Sequence, residues 1–118
     1  PEDYMTDYNE RFLASEIIRE KVFEFYGEEI PYSTTVEIEE FKEREAGKDF
    51  IKAIIYVERE SQKGIIIGKD GKAIKHVGLI AREEIEKEIG RKVYLELLVK
   101  VIEKWRKDKS KLYKLGYK

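Results

Sequence analysis

Two glycines separated by two charged residues stand between an apolar run and an amphipathic stretch. Glycine at both ends of this short loop, Gly68 and Gly71, permits positive φ and lets another chain approach the backbone without a Cβ in the way. The second glycine is predicted to open a helix, whose first amides have no intrahelical partner and carry the positive end of the dipole. Such a place suits phosphates, and Lys69, Lys72 and Lys75 surround it. These residues predict a contact with a polyanion.

Two nucleotide-binding motifs do not fit these glycines. A phosphate-binding loop of the nucleotide hydrolases needs four residues between its glycines and a Ser or Thr after its lysine. Here Gly64 and Gly68 are separated by three residues, and Asp70 follows Lys69. A dinucleotide fingerprint needs a close Gly-x-Gly pair inside a parallel βαβ unit, and the sequence predicts neither. The polyanion is therefore not a mononucleotide or dinucleotide held by one of these motifs.

The charges of the chain are divided between its two halves. Residues 1–60 hold 17 acidic and 8 basic side chains, a balance of −9, and residues 61–118 hold 8 acidic and 16 basic ones, a balance of +8. An unevenly charged, solvated surface is one interpretation. Because the basic half contains the glycine loop, the division also favours a nucleic-acid partner bound on one face.

Hydrophobic periodicity predicts the elements that position the loop. Asp7 and Glu10 form a capping box that predicts a helix from about Tyr8, and Gly27 is predicted to end it. Strict alternation of apolar residues over 93–101 predicts a strand. Because its other face is also partly apolar, we expect this strand to be central in the sheet. The predicted elements are a helix at 8–26, a hairpin of strands near 36–38 and 50–57 around Gly47, a short helix at 61–67 capped by Ser61, a helix at 72–89 and a strand at 93–101.

Length and composition limit the remaining possibilities. A chain of 118 residues suffices for one compact domain, and we expect residues 1–6 to be a linker, 7–103 the domain and 104–118 a basic tail. No cysteine is present, so a reducing cytoplasm fits. No transmembrane segment is predicted, and the usage of Lys, Glu, Asn and Gln leans towards a thermophilic source. Because the chain begins at Pro1, we expect a fragment of a longer protein.

The segment Ile66–Ile74 resembles the signature of the KH module, which clamps about four nucleotides of a single strand. Two aliphatic residues, both glycines and an aliphatic residue three positions later all match. With a helix and hairpin before the motif, the order resembles the type II form. The resemblance implies an α+β fold, α-β-β-α-α-β, with a three-stranded mixed sheet and helices packed on one face.

Further segments resemble the C-terminal domain of the bacterial Era GTPases: Pro1–Asp3, Glu10–Lys21, Tyr56–Gly68 and the ending with Trp105–Arg106 and Leu115–Tyr117. That family implies a separate N-terminal GTPase domain holding GTP and magnesium, with no cofactor and no catalysis expected of this chain. It also implies single-stranded RNA at the 3′ end of 16S ribosomal RNA, assembly of the small (30S) ribosomal subunit, a cytoplasmic location and peripheral membrane association of the full-length protein. The alternative is a KH-like scaffold that contacts protein or regulates the attached enzyme without gripping RNA.

The resemblance and the residue types together give a set of candidate RNA-binding residues: Ile66, Gly68, Lys69, Asp70, Gly71, Lys72, Ile74 and Lys75. The lysines have a solvated helix face as their alternative, and the two isoleucines have the core, which we expect to dominate. Asp70 departs from the family pattern, because its carboxylate is expected to weaken the attraction for phosphate. His76 has no second ligand nearby in sequence, so no metal site is predicted.

A second set of candidates flanks the motif or lies in the tail: Arg59, Ser61, Gln62, Lys63, Trp105, Arg106 and Lys107. The first four precede the glycine loop and are predicted to line its edge, with a helix cap as the alternative for Ser61. The Trp105 ring is predicted either to stack on a base or to pin the tail to the domain.

Overall fold

A computed structural model of the protein describes residues 2–102, with side chains described from residue 9 onward. Its elements are α1 (Glu2–Tyr26), β1 (Thr35–Lys42), β2 (Asp49–Val57), α2 (Glu60–Ile67), α3 (Lys72–Ile89) and β3 (Val93–Val101), with 3-10 turns at Gly27–Glu29 and Lys69–Gly71. The predicted α-β-β-α-α-β order is confirmed. So is the mixed sheet, since β1 pairs antiparallel with β2 and β2 pairs parallel with β3.

The central strand is β2, so the prediction of a central β3 is wrong. Alternate residues of β2 from Ile51 to Val57 are buried, and Ile54 on its opposite face is buried too, as expected for a strand with a neighbour on each side. In β3, Leu95 and Leu97 are only half-buried. They form one wall of an open groove beside α3. On the opposite face of β3, Tyr94 is exposed and its ring stacks on that of Phe50 in β2, with the ring centroids 5.9 Å apart.

The first helix begins earlier than its capping box predicts. It starts at Glu2 instead of Tyr8, so most of the segment predicted as a linker is helical. Between Pro1 and Gly27 the sequence contains no glycine or proline, and no local signal forces the helix to begin at Asp7. Its apolar stripe enters the core together with that of α3: Ala14, Ile17, Ile18, Val22, Tyr26, Val77, Ala81 and Ile85.

A bulge in β1 changes the face of the sheet on which its later side chains lie. The register with β2 shifts between Ile38 and Glu40, and one extra residue in a strand moves the following side chains to the opposite face. Phe41 therefore packs against the same core as Ile38.

Paired charges fasten α1 to the start of the sheet. The Arg91 guanidinium donates to both carboxylate oxygens of Glu10, at 3.1 and 2.8 Å, and to Asp49 Oδ2 at 2.7 Å. Asp49 is 1% exposed, and its other oxygen accepts the Arg44 amide at 3.2 Å. The hydrogen bonds to Glu10 and Asp49 raise the pKa of Arg91 above its ordinary value. We call these residues, Glu10, Asp49 and Arg91, the Arg91 cluster.

Candidate nucleic-acid interface

The loop from Gly68 to Gly71 has a backbone that only glycine and a few polar residues adopt readily. Gly68 has φ 75° and ψ 176°, a region essentially restricted to glycine. Gly71 is left-handed at φ 72° and ψ 13°. Asp70, at φ 57°, is the one non-glycine residue with positive φ in the described range 2–102. Aspartate tolerates this conformation better than most residues, so Asp70 has a conformational role that sequence reasoning did not foresee.

The two glycines face different surroundings. A Cβ added to Gly68 would lie 2.6 Å from the Ala73 Cβ and 3.1 Å from the Ala73 amide nitrogen, so the loop folds tightly onto the first turn of α3. No atom of the described chain, apart from immediate neighbours, lies within 4 Å of the corresponding position on Gly71. The Gly71 side of the loop is therefore open, whereas the space that a side chain at Gly68 would need is occupied by Ala73.

The first amides around Gly71 are not all free, which corrects one expectation. The Gly71 amide donates to the Gly68 carbonyl at 3.2 Å, and the Lys72 amide donates to the Lys69 carbonyl. The 3-10 turn before α3 uses these two amides within the loop. The lysines then supply the outward positive charge, because Lys69, Lys72 and Lys75 are all exposed and no ion pair involves them among the residues described.

Ile66 is a core residue and does not form the floor of a groove. Its side chain is fully buried, while its carbonyl accepts a hydrogen bond from the Tyr26 hydroxyl. Burial raises the pKa of Tyr26 to about 12, so the phenol stays protonated and donates at neutral pH. This contact fixes the end of α2, just before Gly68, to α1.

Gln62 caps α2, and Ser61 does not. The Gln62 Oε1 accepts the amides of Glu58 and Arg59, each at 3.0 Å. Ser61 lies one residue inside the helix and is exposed. The prediction of a Ser61 cap is wrong because the helix begins at Glu60, so Ser61 is already helical, and Gln62 at the third helical position reaches back to the amide of the N-cap residue, Arg59. Of the other two predicted edge residues, Arg59 is exposed and Lys63 is half-buried.

A groove with a volume of about 310 Å³ runs between α3 and β3, beginning one turn after the glycine loop. Two of its lining residues, Ile74 and Lys75, are among the predicted RNA-binding residues. Five others were not predicted as site residues: Gly78, Leu79, Arg82, Leu95 and Leu97. Leu79 lies four residues after Lys75 and outside the buried stripe of Val77, Ala81 and Ile85, a spacing that could have identified this second face of α3. At Gly78 a Cβ would meet the Leu97 Cδ1 at 3.6 Å, so α3 and β3 approach closely.

Arg82 is held at the groove by Glu86. Its NH1 donates to Glu86 Oε1 at 3.1 Å, and Glu86 Oε2 accepts the Val93 amide at 2.8 Å. The bond from Val93, followed by the positive charge of Arg82, lowers the pKa of Glu86 below its ordinary value. The carboxylate is therefore ionised at neutral pH and links α3 to the first residue of β3.

Three predicted site residues, Trp105, Arg106 and Lys107, lie outside the described residues, as does the rest of the basic tail. His76 is exposed, with its ring 5.0 Å from that of Phe25. Between residues 2 and 102 no group of three His, Cys, Asp or Glu side chains could hold a metal ion. Over the same range, no helix has the length and apolar character needed to cross a membrane.

Curated relatives align with this chain over nearly its whole length. The protein is 57% identical to GTPase Era of Thermotoga maritima over 119 residues and 55% identical to GTPase Era of Geobacter metallireducens over 118 residues. These alignments cover 100% and 99% of this chain. The chain spans about 40% of the length of these curated relatives.

Solved structures of Era have the same fold. A crystal structure of Era in complex with MgGDPNP and nucleotides 1506–1542 of 16S ribosomal RNA matches with a TM-score of 0.79 at 46% identity, covering 91% of this chain and 36% of that one. A variant of Aquifex aeolicus Era bound to GDP·AlF4⁻ matches over the same shares with a TM-score of 0.78. The sequence profile of the KH domain matches residues 29–106, which include the glycine loop and the groove. The chain therefore belongs to the KH domain family.

Proposed function

We propose that this chain is a single-stranded RNA-binding domain that directs an attached GTPase to the 3′ end of 16S ribosomal RNA during assembly of the small ribosomal subunit. The observation that carries the proposal is the continuity of an open, lysine-flanked loop with an apolar groove. Gly71 leaves room for a backbone, and Ile74 and Lys75 begin the groove within the next turn.

The division of polar and apolar surface fits a single strand better than a duplex. Phosphates would lie against the loop, where Lys69, Lys72 and Lys75 are exposed and unpaired in the part of the chain described. Bases would enter the groove, whose walls include Ile74 and Leu97. Phosphate contacts position a strand, whereas contacts with exposed base edges specify its sequence. The deep, narrow major groove of an RNA duplex is closed to side chains, whereas a single strand can turn its bases into such a groove.

The RNA complex of a similar Era supports the choice of ribosomal RNA. That Era binds nucleotides 1506–1542 of 16S ribosomal RNA, and it shares 46% of its aligned residues with this chain. The relatives are GTPases of which this chain spans 40%, so we place nucleotide hydrolysis, with its GTP and magnesium, in a separate domain. A role in ribosome assembly implies a cytoplasmic location.

Reversing one charge in the loop tests the proposal. Lys69→Asp makes the loop sequence Gly-Asp-Asp-Gly and places two carboxylates where phosphate is expected. Binding of a labelled RNA from the 3′ end of 16S ribosomal RNA should weaken about tenfold or more, with a shallower dependence of affinity on salt. The thermal unfolding midpoint should change little, because Lys69 is exposed.

Lys48→Asp is the matched control. It makes the same change in charge at an exposed residue of the β1–β2 loop, so its affinity should stay within about twofold of the original. If Lys69→Asp binds the RNA like the unchanged protein, the loop is not the clamp. If the unchanged protein shows no salt-sensitive RNA binding but still associates with its GTPase domain, the scaffold function replaces this proposal.

A further inference from the structure

The far part of the groove contains an arginine whose charge is already balanced. Arg82 lines the groove, and its side chain is 32% exposed while that of its partner Glu86 is 13% exposed. Glu86 is itself fixed, because its second oxygen accepts the Val93 amide at the start of β3. The guanidinium is therefore held in one place at the point where α3 and β3 are joined.

This pairing suits Arg82 for hydrogen bonding more than for attracting phosphate. A guanidinium has five N–H donors in a planar fork, and the described part of the chain accepts one hydrogen bond from it, at Glu86. The carboxylate cancels most of its attraction for a distant anion and would repel a phosphate placed beside it. The donors that remain are directional, and their orientation is set before any ligand arrives.

The position of Arg82 places it among bases instead of phosphates. Lys75, Leu79 and Arg82 have the spacing i, i+4 and i+7, which puts them on one face of α3. Arg82 follows Gly71 by eleven residues, about 16 Å along the helix axis. A strand clamped at the loop would send its bases along the apolar walls towards Arg82.

We infer that Arg82 determines sequence specificity by donating two hydrogen bonds to the O6 and N7 atoms of a guanine base. Guanine presents two adjacent acceptors, O6 and N7, on its Hoogsteen edge to an arginine fork. Adenine presents a donor at N6 beside its N7, and uracil has a donor at N3 between its two carbonyl oxygens. Unpaired cytosine presents O2 and N3 on its Watson–Crick edge, so cytidine is the competitor that the experiment separates from guanosine. The inference rests on the proposed RNA binding and assigns to Arg82 a base contact in addition to the loop's phosphate contacts.

The experiment measures binding of hexauridine, of six RNAs that carry one guanosine at each position in turn, and of six that carry one cytidine instead. We expect one position at which guanosine raises the affinity about tenfold and cytidine does not. Replacing that guanosine by 7-deazaguanosine, which lacks N7, should remove most of the gain. Arg82→Lys keeps the charge and loses the planar fork, so it should lose the preference for guanosine, with a larger loss of affinity for the guanosine RNA than for hexauridine.

Two further variants distinguish a loss of base recognition from a loss of folding. Arg44→Lys makes the same replacement at an exposed residue in the β1–β2 loop and should keep the preference. Glu86→Gln retains Arg82 but removes the negative charge beside it. That variant should bind all of these RNAs more tightly while discriminating less between them, a combination that loss of folding would not produce.

The outcomes distinguish the base contact of Arg82 from the proposed RNA binding. If the unchanged protein binds these RNAs with no preference for guanosine at any position, Arg82 is not a base reader and the proposed RNA binding stands. The inference also fails if Arg82→Lys weakens binding to every RNA equally and keeps the preference. If the unchanged protein binds neither these oligonucleotides nor the ribosomal RNA, the proposed function fails and the inference fails with it.

Discussion

The Arg91 cluster and the Gly68–Gly71 loop use charged residues in opposite ways. In the cluster, one guanidinium meets two carboxylates at 2.7–3.1 Å, and one of these, Asp49, is almost fully buried. Three lysines, Lys69 in the loop and Lys72 and Lys75 in the first turn of α3 beside it, are exposed, and the structure of residues 2–102 shows no ion pair for any of them. The cluster has satisfied its charges internally, whereas the loop leaves its charges for a partner.

The comparison separates stability from binding. A buried carboxylate that loses its partner destabilises the fold, because the remaining charge has neither water nor a counter-ion. An exposed lysine that is replaced changes the free energy of unfolding very little. Variants of the cluster should therefore affect unfolding with little effect on RNA affinity, and variants at the outer side of the loop should do the reverse.

The largest effect is expected from Arg91→Ala. It leaves the buried Asp49 and the nearby Glu10 without their guanidinium, and the free energy of unfolding should fall by about 3 kcal/mol, as measured by urea denaturation. Arg91→Lys is the control, and it should lose less because one charge remains. RNA affinity at a temperature where both variants are folded should match the original. A variant as stable as the original would show that the cluster does not hold α1 to the sheet.

An intermediate effect should distinguish the two glycines of the loop. Gly68→Ala places a Cβ 2.6 Å from that of Ala73 in a backbone region restricted to glycine, and should cost about 2–3 kcal/mol of unfolding free energy. Gly71→Ala meets open space and bears only the left-handed strain of about 1–2 kcal/mol. Thermal unfolding of both variants measures the difference. Equal losses, or a larger loss for Gly71→Ala, would mean that the contact with Ala73 is unimportant.

The smallest effect should come from Asp70→Asn. Asparagine retains the tolerance for positive φ that this position requires and removes the one carboxylate within the loop. RNA affinity should rise by about two- to fivefold, the range expected for an exposed charge contact, with unfolding unchanged. Asp70→Gly is the matched variant, and it should bind similarly if charge alone matters. A weaker affinity for Asp70→Asn would mean that the carboxylate assists binding.

Most helices and strands could be predicted because the periodicity of apolar residues that indicates them lies within each segment. The alternation from Val93 to Val101 and the apolar stripe of α3 fix a strand and a helix regardless of what they pack against. The start of α1 was predicted wrongly because a capping box is only one of several ways to begin a helix. The prediction of Ser61 as the cap of α2 is wrong because the side-chain oxygen of Gln62, the next residue, accepts the Arg59 amide.

The sequence by itself determined the glycine loop, its lysines, the order of the elements and the family, since each depends on residue types at short spacing. Only the tertiary structure decided that β3 is an edge strand, that Ile66 is buried too deeply to line a groove and that Leu79, Arg82, Leu95 and Leu97 share one. These facts depend on which surfaces meet after the chain has folded. The physical reason is that an apolar or paired side chain has the same local pattern whether its neighbour is the core or a ligand.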